Sequence, residues 1–177
     1  MAKVVLDQWL FCTADWHLDE QQFNTLIALL PPDEVRHVLR FRRRHDQLRS
    51  LAGRLLARCW LAQHLRKAWS HIVIARGPDG KPRYQLDACD AEAKRQVDFN
   101  ISHDGNWVAF VGALSVADLS TSLQIGVDVV ETVETEDPEM LLASLRDQFS
   151  PAEWAGIHGS VNGVQDVVRR IQLASTR

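Results

Sequence analysis

Val97-Asp98-Phe99-Asn100-Ile101-Ser102-His103 is followed by Asp104-Gly105-Asn106 and then by Trp107-Val108-Ala109-Phe110-Val111-Gly112-Ala113. The first run opens with apolar residues at alternate positions, the pattern of a strand with one buried face. Asp-Gly-Asn supplies hairpin-turn chemistry, so antiparallel strands are expected at 97–101 and 107–113. A further apolar run at 123–130 is expected beside them in the same antiparallel sheet. Residues 4–11 are β-prone and read as one more strand, although their alternation is imperfect.

Upstream of the hairpin, Leu48, Leu51, Ala52, Leu55, Leu56 and Cys59 recur at i, i+3, i+4 spacing, which predicts a long amphipathic helix over 46–67. Its other face is expected to carry Arg49, Arg54, Arg58 and Arg66. Pro31-Pro32-Asp33-Glu34 reads as a helix entry, with acids where the helix dipole favours them. A short strand is expected at 72–75, and Gly77-Pro78-Asp79-Gly80-Lys81-Pro82 reads as a turn whose glycines permit positive φ. Downstream, Asp137-Pro138 opens a helix expected over 137–148, and Ser150-Pro151-Ala152-Glu153 forms a capping-box pattern. After Trp154 the pattern decays through Gly156, Gly159 and Gly163 into what is at most a short helix at 165–173.

With 177 residues, 46% of them hydrophobic, the chain is long enough to bury a core as one domain or a pair of small half-domains. Cys12, Cys59 and Cys89 match neither a disulfide framework nor a zinc spacing, which points to a reducing, cytoplasmic setting. No secretory h-region or membrane-length apolar run is seen. The net charge of −3 hides a segregation: residues 36–67 hold ten Lys or Arg against the single acid Asp46, and 128–139 hold six acids and no base. One pole suits an anion and the other a cation.

Three small groups of residues have chemistry to offer. Gly80-Lys81-Pro82 puts a cation at the end of a tight turn, where it can meet a phosphate or simply stay solvated. Ser102 and His103 end a strand at a turn, which projects both toward whatever cleft lies there. A hydroxyl and an imidazole can both bond phosphate; the plain alternative is that they cap their own backbone. Serine-nucleophile hydrolysis fits poorly, since no Gly-x-Ser-x-Gly occurs. Asp128 ends the apolar run Ile125-Gly126-Val127, where Gly126 allows a ligand or another chain to approach, and its carboxylate is either a hard-oxygen ligand for Mg²⁺ or an ordinary exposed strand-end acid.

Taken in order, Gly80-Lys81-Pro82, Phe99-Asn100-Ile101-Ser102-His103-Asp104-Gly105, Gly126-Val127-Asp128 and Phe149-Ser150-Pro151-Ala152-Glu153-Trp154 resemble the signature series of the surfactin-type 4′-phosphopantetheinyl transferases. The resemblance covers roughly 36–154 and is nearer to the eukaryotic aminoadipate-semialdehyde dehydrogenase-phosphopantetheinyl transferase type. It implies an α/β (α+β) fold: a half-domain of antiparallel sheet plus long helix, with an incomplete second half. The implied boundaries are 1–118 for an N-terminal half with coenzyme A-binding elements, 119–154 for the start of the C-terminal half, and 155–177 for a divergent tail. The implied activity is transfer of 4′-phosphopantetheine from coenzyme A, the substrate, to a serine of an apo acyl, peptidyl or aminoadipate-reductase carrier domain, with Mg²⁺ as cofactor.

Residue by residue, the resemblance gives Lys81, Ser102 and His103 to the coenzyme A phosphates, with Arg49 and Arg76 as further contacts. Asp128 matches the first magnesium ligand. Arg36 and Arg44, the latter from the run Arg42-Arg43-Arg44, and Glu153 are weaker candidates. The run has an equally good reading as a solvated helix end, and capping alone explains Glu153. Where bacterial members have a second acid this chain has Val130, and the Trp-x-x-Lys-Glu-x-x-x-Lys helix that would supply a further metal ligand and a base does not follow Trp154. The expectation is therefore a truncated member with impaired turnover, the alternative being a non-catalytic fragment that binds coenzyme A or a carrier protein. Nucleic-acid binding through 40–44 is a third reading, set against by the acidic net charge and the absence of a base-reading motif. Neither nucleic acid nor membrane is expected as a partner.

Overall fold

A computed structural model describes residues 4–116 and 122–129, with the isolated positions 146 and 151. In chain order the elements are β1 (Val4–Cys12), α1 (Glu20–Ile27), α2 (Pro32–Leu39), α3 (Arg44–Leu65), β2 (Ile74–Arg76), β3 (Pro82–Tyr84), α4 (Ala88–Glu92), β4 (Arg95–Asp104) and β5 (Trp107–Val116). The elements expected at 137–148, 150–153 and 165–173 fall outside the described residues.

The hairpin expected around Asp104-Gly105-Asn106 is β4 and β5, closed at the pair Asp104↔Trp107 with Gly105 at φ 51°. Its strands are longer than the apolar cores that announced them. β1 adds to the far side of β5, giving an antiparallel sheet of order β1-β5-β4. With neighbours on both edges and cover on both faces, β5 is buried from Val108 to Ser115. The fold is α+β, an antiparallel sheet carrying one long helix, as expected.

That helix is α3, two residues earlier than its periodicity indicated. It packs on the face that presents Phe99 and Phe110, joined by Trp60, Leu61 and Leu65 in the largest apolar cluster. Two glycines allow the approach. A Cβ at Gly112 would lie 2.5 Å from the Trp60 ring, and one at Gly53 would lie 3.0 Å from Ile101 Cγ2. The indole nitrogen of Trp60 donates to Asp7 Oδ2 on β1 at 2.8 Å, so the buried ring leaves no donor unpaired. α1 and α2 cover the other half of α3 through Phe23, Ile27, Leu30, Val38 and Leu51. Asp19 and Gln22 form a reciprocal capping box on α1, and Pro32 opens α2 where the expected entry lay.

Two expectations need correction. Arg58 does not lie on a solvated face: it is 2% exposed and grips Glu34 with two parallel bonds, Nε to Oε2 at 3.1 Å and Nη2 to Oε1 at 2.8 Å. Its Nη1 donates to Ile72 O at 2.9 Å. A buried guanidinium is tolerable only with its donors filled, and α2 supplies the carboxylate. The second correction concerns 123–130. Residues 122–129 form no strand. They run over the sheet face opposite α3, where Ile125 joins Val111 and Ala113. Side chains of β4 replace a strand ladder: Gln96 Oε1 accepts from Leu123 N at 2.9 Å, Asp98 Oδ2 from Ile125 N at 2.8 Å, and Ser102 Oγ from Val129 N at 3.3 Å. Alternate residues of β4 share that face, so one strand can serve three backbone groups two or four residues apart.

A two-stranded hairpin, β2 and β3, completes the described fold, with the pair Arg76↔Pro82 next to a turn in which Gly80 has φ 77°. The strand expected at 72–75 thus begins at Ile74, and Ile72 is buried just before it. Gly80 alone of the two turn glycines uses positive φ. At Gly77 a Cβ would meet Arg83 Nε at 2.8 Å, a contact that the exposed Arg83 side chain can relieve by moving.

Candidate functional site

The hairpin does not join the main sheet. It stands beside the edge strand β4, and between it, the N-terminal half of α3 and the end of α2 lies a cleft of about 970 Å³. Arg49 and Arg54 come from α3, His37 from α2 with Arg40 just beyond it, Arg76 from β2, Lys81 from the hairpin turn and His103 from β4. Three acids also line it, Asp33, Glu34 and Asp79. Glu34 is held by Arg58 behind the wall, and Asp79 Oδ2 accepts from Arg83 Nη2 at 2.6 Å. The wall therefore presents net positive charge to anything entering.

Four of these cations are set in place by bonds to the protein. Arg49 Nη1 donates to Gly105 O at 2.8 Å and Nη2 to Asp46 Oδ1 at 2.5 Å, which ties α3 to the β4–β5 turn. Hydrogen bonding from Arg49 is also the largest cause holding the Asp46 carboxyl below its usual range. Arg76 Nη1 donates to Gly80 O at 2.7 Å, across the turn of its own hairpin. Lys81 Nζ donates to Asp98 Oδ2 at 3.0 Å and to Ile125 O at 2.9 Å. An ammonium has three donors, so one remains for a ligand. Arg54 Nη1 donates to Ser50 O at 2.9 Å and to Ser50 Oγ at 2.7 Å.

Of the residues singled out from the sequence, Arg49, Arg76, Lys81 and His103 meet in this cleft. Ser102 does not accompany His103, because successive strand residues point to opposite faces. It turns to the face carrying 122–129, where its hydroxyl donates to Asp128 Oδ1 at 2.6 Å. Asp128 Oδ1 also accepts from Val129 N at 3.0 Å. Arg36 is exposed outside the cleft, Arg44 stacks its guanidinium 3.5 Å over the Phe23 ring, and Glu153 lies outside the described residues. At Gly126 a Cβ would meet no described atom within 4 Å, so no close approach is seen there.

His37, Arg40 and Arg54 were not singled out as site residues. Their signal was present only in part: His37 and Arg40 are three apart, hence neighbours where α2 ends. That Arg54 and Arg76 face them depends on the packing of α2, α3 and β2. Burial lowers the pKa of His37 to about 4, and the positive charges of Arg54, Arg40 and Arg76 add to the shift. Burial likewise lowers the pKa of Arg54, with Arg76 and Arg40 adding to it and Glu34 opposing.

Comparison with known proteins gives the family. The profile of the family described as 4′-phosphopantetheinyl transferase, N-terminal, matches residues 14–115, and the chain belongs to that family. A phosphopantetheinyl transferase from Thraustochytrium sp. is 30% identical over 161 residues, 89% of this chain and 52% of the relative. The human L-aminoadipate-semialdehyde dehydrogenase-phosphopantetheinyl transferase is 27% identical over 125 residues, 71% of this chain and 38% of the relative. The chain spans about half the length of the curated relatives it matches. Solved ACPS structures from Chronobacterium ammoniagenes are weaker likenesses: the apo form has a TM-score of 0.45 at 17% identity over 66% of this chain and 99% of that one.

Proposed function

We propose that this chain supplies the coenzyme A-binding side of a phosphopantetheinyl transferase, an enzyme that moves 4′-phosphopantetheine from coenzyme A to a serine of an apo carrier protein. The observation that carries the reading is the convergence of Arg49, Arg76, Lys81 and His103 on one basic cleft in a chain of this family. Coenzyme A bears a 3′-phosphate and a diphosphate, and planar guanidinium groups suit such anions. In this reading residues 1–118 form the coenzyme A-binding half, 119–154 begin a second half, and 155–177 form a tail departing from the family pattern.

The carrier serine oxygen attacks the phosphorus that bears the pantetheine arm as its proton passes to solvent, and the bond to the remaining phosphate breaks, releasing adenosine 3′,5′-bisphosphate. Arg49, Arg76 and Lys81 bind and orient the phosphates, and His103 lines the same cleft two residues before Gly105 of the β4–β5 turn. Asp128 is exposed, with Oδ1 accepting from Ser102 and Val129. No cluster of three metal-binding side chains surrounds it among the described residues. A lone exposed carboxylate fits Mg²⁺ as one protein ligand in a shell otherwise made of water and substrate phosphate. Held there, Mg²⁺ would neutralise the charge that develops on the leaving adenosine 3′,5′-bisphosphate.

The carrier partners in this reading are acyl, peptidyl or aminoadipate-reductase domains. Three free cysteines suit a reducing cytoplasm, and no helix among the described residues is long and apolar enough to cross a membrane. Incubation with coenzyme A radiolabelled in the pantetheine arm, Mg²⁺ and an apo carrier protein tests the reading. Label on the carrier serine is expected. Failure to bind coenzyme A at all overturns it.

A further inference from the structure

Three groups on the cleft wall that no phosphate-binding expectation included, His37, Arg40 and Arg54, gather beside Arg76, which one did. His37 Nε2 lies 3.4 Å from Arg76 Nη2, so in this arrangement the ring nitrogen accepts and the imidazole is neutral. Arg40, one turn along the chain from His37, and Arg54 of α3 line the same wall. The charged groups around His37 are Asp33, Glu34 and Arg40 from α2 and its end, Arg54 from α3, Arg76 from β2 and Asp79 from the hairpin turn. Of the three acids, Glu34 is consumed by Arg58 and Asp79 by Arg83. Arg54 Nε is buried with no hydrogen-bond partner among the described residues. Three guanidinium groups gathered with so little compensating charge form a standing electrostatic cost, which an arriving anion would relieve.

We propose that His37, framed by Arg40, Arg54 and Arg76, completes a phosphate subsite as a proton-coupled ligand: it accepts from Arg76 while the site is empty and, at mildly acid pH, takes up a solvent proton to donate to the anion when the site is filled. The identity of the anion, a phosphate of coenzyme A, rests on the function proposed above. The coupling itself does not.

The unliganded imidazole is held neutral by burial and by the three arginines, with its pKa down at about 4. A doubly charged anion in contact reverses the sign of the local field. An opposite charge nearby moves a pKa by roughly one to three units, so a rise of about two units is expected. Linkage then makes binding about tenfold tighter at pH 5 than at pH 7.

The test uses the full chain and sulfate, a tetrahedral dianion that does not itself titrate in this range. The His37 ring proton signal is followed by NMR against pH with and without saturating sulfate, and is identified by its loss in His37→Gln. The expected result is a midpoint that rises by about two units, tenfold tighter sulfate binding at pH 5 than at pH 7, and a flat pH dependence in both His37→Gln and His37→Arg. An unmoved midpoint with sulfate and with coenzyme A overturns the proposal and leaves the coenzyme A reading intact wherever coenzyme A still binds. A raised midpoint with sulfate but no binding of coenzyme A supports the subsite and overturns the coenzyme A reading. Failure of both anions to bind overturns both.

Discussion

Lys81 Nζ and Asp98 Oδ2 are 3.0 Å apart, and the same carboxylate oxygen accepts from Ile125 N while Lys81 Nζ donates to Ile125 O. One ion pair thus holds three parts of the chain: the hairpin turn, the edge strand β4, and the segment that bears Asp128. The Asp98 side chain is only 7% exposed. Replacing it by alanine strands a partly buried ammonium and frees a backbone N–H, so Asp98→Ala is expected to lose about 3 kcal/mol of stability in urea unfolding. A loss within about 0.5 kcal/mol would show the pair to be a surface ornament.

Trp60 rests directly on the backbone of Gly112. Because the atoms a methyl would meet belong to a fixed, fully buried ring, Gly112→Ala is expected to cost about 1–3 kcal/mol by overpacking. Gly126→Ala, where the added Cβ meets no described atom, serves as the control and is expected to leave the urea midpoint in place.

Much of this was legible in the sequence, for definite reasons. The β4–β5 hairpin declares itself through alternation and Asp104-Gly105-Asn106, and α3 through its apolar spacing. The family resemblance offered Arg49, Arg76, Lys81, Ser102 and His103 as phosphate contacts, and all but Ser102 line the cleft. What stayed hidden depends on which elements meet. Apolar residues at 123–129 look the same whether they pair with a strand edge or lie across a sheet face. Gln96, Asp98 and Ser102 decide the matter by offering side-chain acceptors. Arg58 has the spacing of a solvated residue until α2 brings Glu34 against it. His37, Arg40 and Arg54 are ordinary helix-surface residues until two helices and a hairpin enclose them.

Asp90 is fully buried and accepts from Lys67, Tyr84, Arg95 and the backbone of Asp87. Burial alone would raise its pKa, but these bonds outweigh it and hold the carboxyl well below the usual range. Lys67 is shifted upward by the same network against the opposing effect of burial. A depressed acid contributes stability that is present above its unfolded value, near 4, and is withdrawn as pH falls toward the folded value. A raised base contributes stability that is present below its unfolded value, near 10.4, and is lost as pH climbs above it. Thermal melts from pH 2 to 11 should therefore decline at both ends. Asp90→Asn is expected to lower the plateau and flatten the acid limb. An acid limb equally steep in the variant would assign it to other carboxylates.

Ser102 is bound to Asp128 rather than to the cleft, and this separates two roles that the motif Asn-Ile-Ser-His runs together. His103→Ala is expected to weaken coenzyme A binding with or without Mg²⁺. Ser102→Ala is expected to act mainly on the Mg²⁺-dependent part of that binding, since it removes the bond that positions the Asp128 carboxylate. Coenzyme A titrations of the two variants, each with Mg²⁺ and with chelator, distinguish the roles. Identical behaviour of the two variants would contradict the separation.

The cleft stands or falls on Arg76, which joins the hairpin to the wall where Arg54 and His37 meet. Calorimetric titration of coenzyme A into the wild type and into Arg76→Ala is the most direct measurement. Loss of a guanidinium–phosphate contact of about 1.5–3 kcal/mol predicts roughly 10- to 150-fold weaker binding, with the melting curve unchanged, because Arg76 is exposed and its guanidinium bonds, among the described residues, to its own turn and to His37. Equal affinity for the two proteins, or no binding of coenzyme A to the wild type, would contradict the account.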